Sequence, residues 1–188
     1  MRIVLASKSP RRRELLSRIY SDFEIITLDT DESLPVGYSP AKCAEMIALR
    51  KGSAVAETLD GDALVISSDT MVELDGVILG KPESEDDAAR MLSMLSGKIH
   101  NVHTGVAVCY RGRTFSGVDT TRVEFRALDG SEIEEYIATG ESMDKAGAYA
   151  IQGKGGALVR GYDGDFNTVV GLSLELTQRL VREALEYE

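Results

Sequence analysis

A cluster of cations and hydroxyls near the start of the chain is suited to binding phosphate. Residues 7–13 supply two hydroxyls and four cationic side chains, namely Ser7, Lys8, Ser9, Arg11, Arg12 and Arg13. The apolar run before them predicts a strand, and Ser9-Pro10 predicts a helix start, where free backbone N–H groups and the helix dipole attract anions. A solvated run of arginines is the alternative. The strand, hydroxyl turn and Pro-started helix together favour an anion site.

One carboxylate is placed for acid–base or metal chemistry. Asp69 follows the apolar run Ala63–Ile66, which is typical of a strand buried on both faces. Open α/β sheets bind ligands at the carboxyl ends of such strands. Capping of a following helix is the alternative, but residues 71–74 return to strand character. We therefore expect Asp69 at the carboxyl end of a central strand, acting on a bound substrate.

Lysines and a second acidic group accompany this carboxylate. Arg50 and Lys51 fall on the apolar stripe of a predicted helix, so they either extend to solvent or reach a cavity beside the core. Lys81 follows a predicted hairpin and is either a surface lysine or a further ammonium of the site. Residues 29–33 hold three carboxylates, including Glu32, and form either an acidic loop or part of the site.

A glycine-rich segment, residues 144–156, follows a short predicted helix. Its backbone freedom suits a loop wrapped against a ligand. Gln152 carries both a hydrogen-bond donor and an acceptor, as reading a nucleobase edge requires. Tyr149 either stacks on a base or packs internally. Asp144 and Lys145 are either a surface ion pair or part of the site.

The elements that must position these groups alternate between strand and helix and then become hairpins. Turn signals at Asp75-Gly76 and 111–113 predict two hairpins, Ser131–Glu134 predicts a capping box, and an amphipathic helix is expected over residues 172–185. This order predicts an α/β fold, a mixed twisted sheet with flanking helices. His103 and His100 lie in a predicted strand, where a lone histidine is more often structural than catalytic.

Composition restricts partners and compartment. The chain has 31 acidic and 21 basic residues and a formal charge of −10, which disfavours a nucleic acid partner but permits a small anion where the cations cluster. No apolar run approaches the roughly 18 residues that a membrane span needs, and Cys43 and Cys109 lack metal or redox spacing. We expect a single domain over residues 1–188, cytoplasmic, with buried free thiols and no membrane partner.

The opening segment resembles the signature of the Maf (septum-formation-associated) nucleotide pyrophosphatases. Its residues are Ser7-x-Ser9-Pro10-Arg11-Arg12-x-Glu14-Leu15-Leu16. Five further motifs follow in order and at matching spacings: Ser68-Asp69-Thr70, Gly80-Lys81-Pro82, His103-Thr104-Gly105-Val106, residues 144–153 and Val169-Val170-Gly171-Leu172. Departures from the pattern at Arg13, Ala150 and Ser173 predict tuning of activity rather than its loss. The resemblance implies two lobes around a central cleft, a fold related to the inosine-triphosphate pyrophosphatases.

The activity implied by this resemblance is cleavage of a nucleoside triphosphate between the α- and β-phosphates, with Mg²⁺ or Mn²⁺ as cofactor. By family position, Asp69 is the general base and a metal ligand, Glu32 is a further ligand, and Lys51 and Lys81 serve the phosphates. The resemblance also implies substrate contacts for Ser7, Ser9, Arg11, Arg12, Thr70, Asp144, Lys145 and Gln152, of which Arg11, Thr70 and Gln152 set specificity. The Ala-Tyr-x-Ile-Gln-Gly form is similar to the branch acting on dTTP and UTP. Homodimers are usual among Maf proteins, so the resemblance also implies a homodimer here.

A nucleotide-binding regulator of cell division with vestigial catalysis is the alternative. The joint presence of Asp69, Lys51 and Lys81 favours a pool-regulating or house-cleaning enzyme, because binding alone does not require a carboxylate beside two lysines. An RNA-binding module is disfavoured by the net charge and by the scarcity of aromatic residues.

Overall fold

The computed structural model describes residues 1–187. Within them the strands are β1 (Arg2–Leu5), β2 (Glu24–Ile25), β3 (Ala63–Leu74), β4 (Val77–Leu79), β5 (Ile99–Tyr110), β6 (Arg113–Phe125) and β7 (Val159–Asp163). The α-helices are α1 (Pro10–Ser17), α2 (Pro40–Ala56), α3 (Glu85–Leu95), α4 (Gly130–Ile137), α5 (Phe166–Val170) and α6 (Leu174–Glu186). Two 3₁₀ helices, Ala146–Ala148 and Lys154–Leu158, lie between α4 and β7.

The strands form one mixed sheet. Their order is β2-β1-β3-β5-β6-β7, and β4 pairs with β3. β1 is parallel to both β2 and β3. β4 is antiparallel to β3, and β7 is antiparallel to β6. Both residues of the β3–β4 turn, Asp75 and Gly76, have positive φ angles, as a tight hairpin turn requires. The predicted α/β class, a mixed sheet with flanking helices, is confirmed.

The chain divides into two compact units, and the division falls within β3, β5 and β6. The first unit comprises residues 1–70, 104–119 and the chain from Gly171 onward. Part of its core is an apolar cluster that includes Val4, Val55, Val65 and Cys109. The strands β1 and β3 meet helix α2 in this cluster.

Two close contacts seat helix α2 in the first unit. Ser39 caps the helix, and Pro40 is its first residue. A Cβ atom on Gly105 of β5 would overlap the backbone of Ala44, and a Cβ atom on Gly52 would lie 2.5 Å from the Ser67 hydroxyl. Gly105 and Gly52 therefore permit the helix to lie close to the sheet at these two positions.

The second unit comprises residues 71–103 and 120–170. Its core joins α3 and α4 to the sheet through a cluster that includes Leu92, Leu95, Phe125, Ile133 and Tyr149. Ser84 caps α3, and three acidic residues occupy its first turn. That arrangement suits the positive end of the helix dipole.

Three elements differ from the sequence predictions. Asp69 does not end its strand, because β3 continues through it to pair with β4; Asp69 instead lies three residues beyond Ile66, the last β3 residue paired with β1. The capping box begins at Asp129, whose carboxylate accepts the Glu132 N–H at 2.9 Å, so it lies two residues before the predicted serine. Strand β7 was not predicted, since its residues lack an apolar alternation.

Two further sequence predictions concern membrane-spanning helices and the cysteines. No helix within residues 1–187 is long and apolar enough to cross a membrane. Cys43 and Cys109 are buried free thiols, as predicted, and burial raises the pKa of Cys109.

Candidate active site

The turn after β1 is held by its own serines. Ser9 is the N-cap of α1, and its hydroxyl accepts the Arg12 N–H at 3.5 Å. The buried Ser7 hydroxyl accepts the Ser9 N–H at 3.2 Å. A hydroxyl that accepts one hydrogen bond still has a proton to donate. Both serines therefore shape the turn and are chemically able to contact an anion.

The Arg12 guanidinium is anchored by three hydrogen bonds. Its Nε donates to the Gly171 carbonyl at 2.9 Å, and its two terminal nitrogens donate to Thr70 Oγ1 at 3.2 Å and Ser7 Oγ at 3.4 Å. Burial lowers the pKa of Arg12, and the nearby charge of Asp69 partly offsets this effect. At least three of the five guanidinium N–H groups hold the side chain in place, so Arg12 is a fixed cation.

Lys51 joins two carboxylates. Its ammonium nitrogen lies 2.7 Å from Asp69 Oδ1 and 2.9 Å from Glu32 Oε1. The side chains of Lys51 and Asp69 are 16% and 15% exposed, whereas that of Glu32 is 61% exposed. Gly52, the residue after Lys51, lies against Ser67 of β3, which is two residues before Asp69. This close contact places Lys51 beside Asp69. The first unit thus brings together three of the four predicted catalytic residues.

The loop that carries Glu32 is tied to the same helix. The guanidinium of Arg50 donates to the carbonyls of Ser33 at 2.8 Å and Asp31 at 3.4 Å. The Asp31 carboxylate accepts the N–H and the hydroxyl of Ser33, both at 2.8 Å. Arg50 thus holds the loop by its backbone, a role that the residue types alone did not indicate.

The donor set around Lys51 suits a hard divalent cation. Asp69 and Glu32 both approach one nitrogen, and Mg²⁺ is commonly held by one or two carboxylates together with water and substrate phosphates. In the part of the chain that the structure describes, no group of three or more His, Cys, Asp or Glu side chains is arranged to hold a metal ion. A cation at these two carboxylates would therefore take its other oxygens from water and from substrate phosphates.

Lys81, Asp144, Lys145 and Gln152 lie in the second unit, whereas Arg11 and Thr70 lie in the first. Lys81 is exposed and follows Gly80, whose carbonyl accepts the N–H of Gly147 at 3.0 Å. That bond ties the segment carrying Lys81 to the segment carrying Asp144 and Lys145. Asp144 and Lys145 form an ion pair in which the lysine side chain is 13% exposed. The structure thus brings these three residues onto neighbouring segments.

Tyr149 packs in the core of the second unit. It is 5% exposed, and its ring lies edge-on to those of Phe125 and His100. The internal-packing interpretation is correct, because stacking on a base would need an accessible ring. Gln152 is exposed on the following turn.

The two histidines are buried and occupy structural positions. The His103 ring is hydrogen-bonded to Thr120 at 2.8 Å and lies 3.6 Å from the Glu73 carboxylate. Glu73 also accepts hydrogen bonds from Asn101 and from the Gly76 N–H in the β3–β4 turn. These contacts connect His103 to the β3–β4 hairpin, and a hydrogen-bonded position of this kind agrees with the structural interpretation.

The carbonyl group of Gly171 contributes to the contacts around Arg12, and the residue types did not predict it. The carbonyl oxygen of Gly171 accepts hydrogen bonds from both Arg12 and Ser68, each at 2.9 Å. Gly171 has φ +130°, and a Cβ atom there would lie 3.5 Å from Arg12 Nε. A backbone carbonyl carries no residue-type signature. The glycine in the last of the quoted motifs was its only trace.

Comparison with known proteins identifies the family. A family model described as Maf-like protein matches residues 2–184. A protein of Pelotomaculum thermopropionicum named dTTP/UTP pyrophosphatase is 50% identical over 174 residues, covering 92% of this chain and 91% of that protein. A protein of the same name from Thermococcus kodakarensis is 48% identical over 178 residues, covering 95% and 94%.

A solved structure supports the fold. The Staphylococcus aureus Ham1 protein is 18% identical, with a TM-score of 0.53 and coverage of 99% of this chain and 95% of that chain. At this identity the likeness concerns architecture alone, and it agrees with the mixed sheet described above. The match over residues 2–184, together with relatives at about half identity, shows that this chain belongs to the Maf-like protein family.

Proposed function

We propose that this protein is a nucleoside triphosphate pyrophosphatase that converts dTTP and UTP to the monophosphate and pyrophosphate. Family membership supports this proposal, as do curated relatives named dTTP/UTP pyrophosphatase that are 44–50% identical over most of their length. The observation that carries the chemistry is the Asp69–Lys51 pair beside the anchored Arg12.

Asp69 is the general base of the proposed reaction. Its carboxylate is largely buried and held at 2.7 Å by Lys51, so its orientation is set before substrate arrives. In this role Asp69 orients a water molecule and accepts its proton as the water attacks phosphorus. A positioned base of this kind contributes about 10²–10⁴-fold to rate.

The cations of the first unit neutralise the phosphates. Arg12 is fixed by its three hydrogen bonds, and Arg11 follows Pro10 in the first turn of α1. Phosphoryl transfer depends mainly on positioning and charge stabilisation, so fixed cations serve it well. Ser7 and Ser9 donate to phosphate oxygens, and Lys51 and Lys81 are the proposed ammonium groups.

Asp69 and Glu32 are the proposed ligands of Mg²⁺ or Mn²⁺. When bound, the ion supplies charge neutralisation at the phosphate oxygens. Lys51 lies within 2.9 Å of both carboxylates and so keeps them close together.

Base selection is assigned to the positions of the family's specificity residues. Gln152 is exposed and offers both a donor and an acceptor to a base edge. Thr70 is hydrogen-bonded to Arg12 and Thr104, which fixes its hydroxyl. Arg11 completes this set, while Asp144 and Lys145 are proposed substrate contacts.

A pyrophosphate-release assay over a nucleotide panel tests the proposal. With Mg²⁺ present, we expect dTTP and UTP to be hydrolysed faster than dATP, dGTP and 7-methyl-GTP. Faster turnover of 7-methyl-GTP would contradict the substrate assignment but would not contradict the proposed type of reaction. Nucleotide binding without pyrophosphate release would contradict the enzyme and favour a nucleotide sensor.

A further inference from the structure

The turn that carries Gln152 is folded tightly onto the chain after α4. The Ala150 carbonyl accepts the N–H of Gly153 at 3.1 Å, which closes the turn around the exposed Gln152. A Cβ atom on Gly153 would lie 2.5 Å from the Glu141 carboxylate. We call residues 150–155 the recognition loop. Gly155 is required by contact with the protein itself, because a Cβ atom there would lie 2.7 Å from the Ala150 carbonyl oxygen.

Glu141 fixes the C-terminal side of the recognition loop. Its carboxylate accepts the Lys154 N–H at 2.9 Å and the Gly155 N–H at 3.4 Å. Hydrogen bonds to a charged acceptor are stronger than neutral ones. Glu141 is itself held, because its N–H donates to Thr139 Oγ1 at 3.3 Å. One carboxylate thus ties down two consecutive peptide groups.

Tyr136 of α4 fixes the N-terminal side. Its hydroxyl accepts the Ala150 N–H at 3.1 Å, and a Cβ atom on Gly155 would lie 2.8 Å from the same hydroxyl. Tyr136 is 5% exposed, and burial raises its pKa to about 12, so the phenol is neutral. The recognition loop is therefore clamped on both sides of Gln152, by a rigid ring and by a carboxylate.

We propose that Glu141 is a positioning residue for nucleotide recognition, holding the recognition loop so that Gln152 is presented in one conformation. This inference rests on the proposed role of Gln152 in reading the base. Glu141 acts through the backbone of Lys154 and Gly155 rather than on the substrate. Without it, the competent loop conformation is only part of the population, and apparent affinity falls by that fraction.

The first test compares Glu141→Ala with Glu135→Ala, which removes an exposed carboxylate from α4. We expect Glu141→Ala to raise the KM for dTTP about tenfold and to change kcat less than about threefold, because hydrogen bonds to a charged group of this kind are worth about that factor. Glu141→Gln keeps a carbonyl acceptor and should recover part of the KM. Glu135→Ala should match the wild type. An unchanged KM in Glu141→Ala would overturn the proposal.

A double-mutant cycle with Gln152→Ala asks whether Glu141 acts through Gln152. In the Gln152→Ala background, adding Glu141→Ala should raise the KM less than about twofold, since the contact that the loop presents is already gone. A full tenfold increase in that background would show that the two residues act independently, and would overturn the proposal.

Amide hydrogen exchange gives a measurement that does not depend on activity. In the nucleotide-free protein, the Lys154 and Gly155 amides should exchange at least about tenfold faster in Glu141→Ala than in Glu135→Ala. Equal exchange would overturn the clamp. If the wild-type protein releases no pyrophosphate from dTTP or UTP, the proposed function fails, and this exchange measurement still reports whether Glu141 orders the loop.

Discussion

Lys51 carries one positive charge and faces two negative ones, Asp69 at 2.7 Å and Glu32 at 2.9 Å. Breaking a buried ion pair is destabilising when it leaves one charge without a partner. Here the loss of the Asp69 charge leaves Lys51 paired with Glu32. The site therefore permits a change at Asp69 that tests chemistry separately from folding.

We predict that Asp69→Asn lowers kcat for dTTP by about 100-fold or more, because an amide cannot accept the proton of the attacking water. The melting temperature should change little, since asparagine has nearly the same shape and Lys51 keeps Glu32. Asp62→Asn is the matched control, as Asp62 is exposed and immediately precedes β3. Near-wild-type turnover in folded Asp69→Asn would remove Asp69 from the role of general base.

Residue types and spacing were sufficient to single out Asp69 and the cation cluster that includes Arg12, whereas Lys51 was selected through the family resemblance. They did not indicate that Gly171 supplies a carbonyl to Arg12 or that Glu141 holds the loop around Gln152. Both interactions use backbone atoms, which every residue possesses. Sequence reasoning therefore finds the side chains that carry charge more readily than the groups that orient them.

Helix α2 carries both Arg50 and Lys51, so its seating on the sheet decides where these cations lie. Two glycines permit that seating. Gly105 of β5 lies under the backbone of Ala44, and Gly52 lies over Ser67 of β3. The Ser67 hydroxyl also donates to the Ala48 carbonyl at 2.7 Å. These contacts join the helix to both strands at close range.

We predict that Gly105→Ala destabilises the protein by about 1–3 kcal/mol or more, because the added methyl group overlaps the backbone of Ala44 and has no space to move into. Gly161→Ala in β7 is the control, since a Cβ atom there meets nothing within 4 Å. Urea denaturation of both variants gives the comparison. Equal stability of the two would show that α2 can shift away from the sheet at no cost.

Element boundaries were harder to predict than element types. The apolar run ending at Ile66 marked only the part of β3 that pairs with β1. Its polar continuation, Ser67 to Thr70, stays in the strand, since β3 also neighbours β5 and runs on to residues 72–74, which pair with β4. When the partner strand is unknown, polar residues inside a strand wrongly predict that the strand ends there.

At the scale of the whole molecule, a buried histidine couples stability to pH. His100 is 1% exposed, and its Nε2 is hydrogen-bonded to the Tyr149 hydroxyl at 2.8 Å. Burial lowers the pKa of His100 from 6.5 to about 4, while the charge of Glu73 acts in the opposite direction. Burial also lowers the pKa of His103. The folded protein keeps His100 neutral where the unfolded chain would protonate it.

We predict that His100 makes the protein less stable in mild acid. Its contribution is fully present above the unfolded pKa of 6.5 and is lost as the pH falls toward 4, because the unfolded state gains the proton first. From about pH 7 to about pH 5 the loss should be about 2 kcal/mol in the free energy of unfolding. Urea denaturation of wild type and His100→Gln measures it. Equal pH slopes in the two proteins would contradict the assignment.

The fold class and the family were predictable because six motifs and the strand–helix order span nearly the whole chain. The division into two compact units agrees with the two lobes that the resemblance implied. The homodimer and the cytoplasmic location stay predictions, since each concerns behaviour in solution or in the cell rather than the geometry of one chain. The single-domain assignment over residues 1–188 also stays a prediction.

The hydrogen bond from Arg12 to the Gly171 carbonyl joins positions 159 residues apart. During synthesis, Arg12 leaves the ribosome 159 residues ahead of Gly171. A nascent chain thus has Arg12 long before that side chain can be locked in place. Competence for nucleotide hydrolysis should therefore arise only after Gly171 has emerged and its carbonyl can accept the Arg12 hydrogen bond.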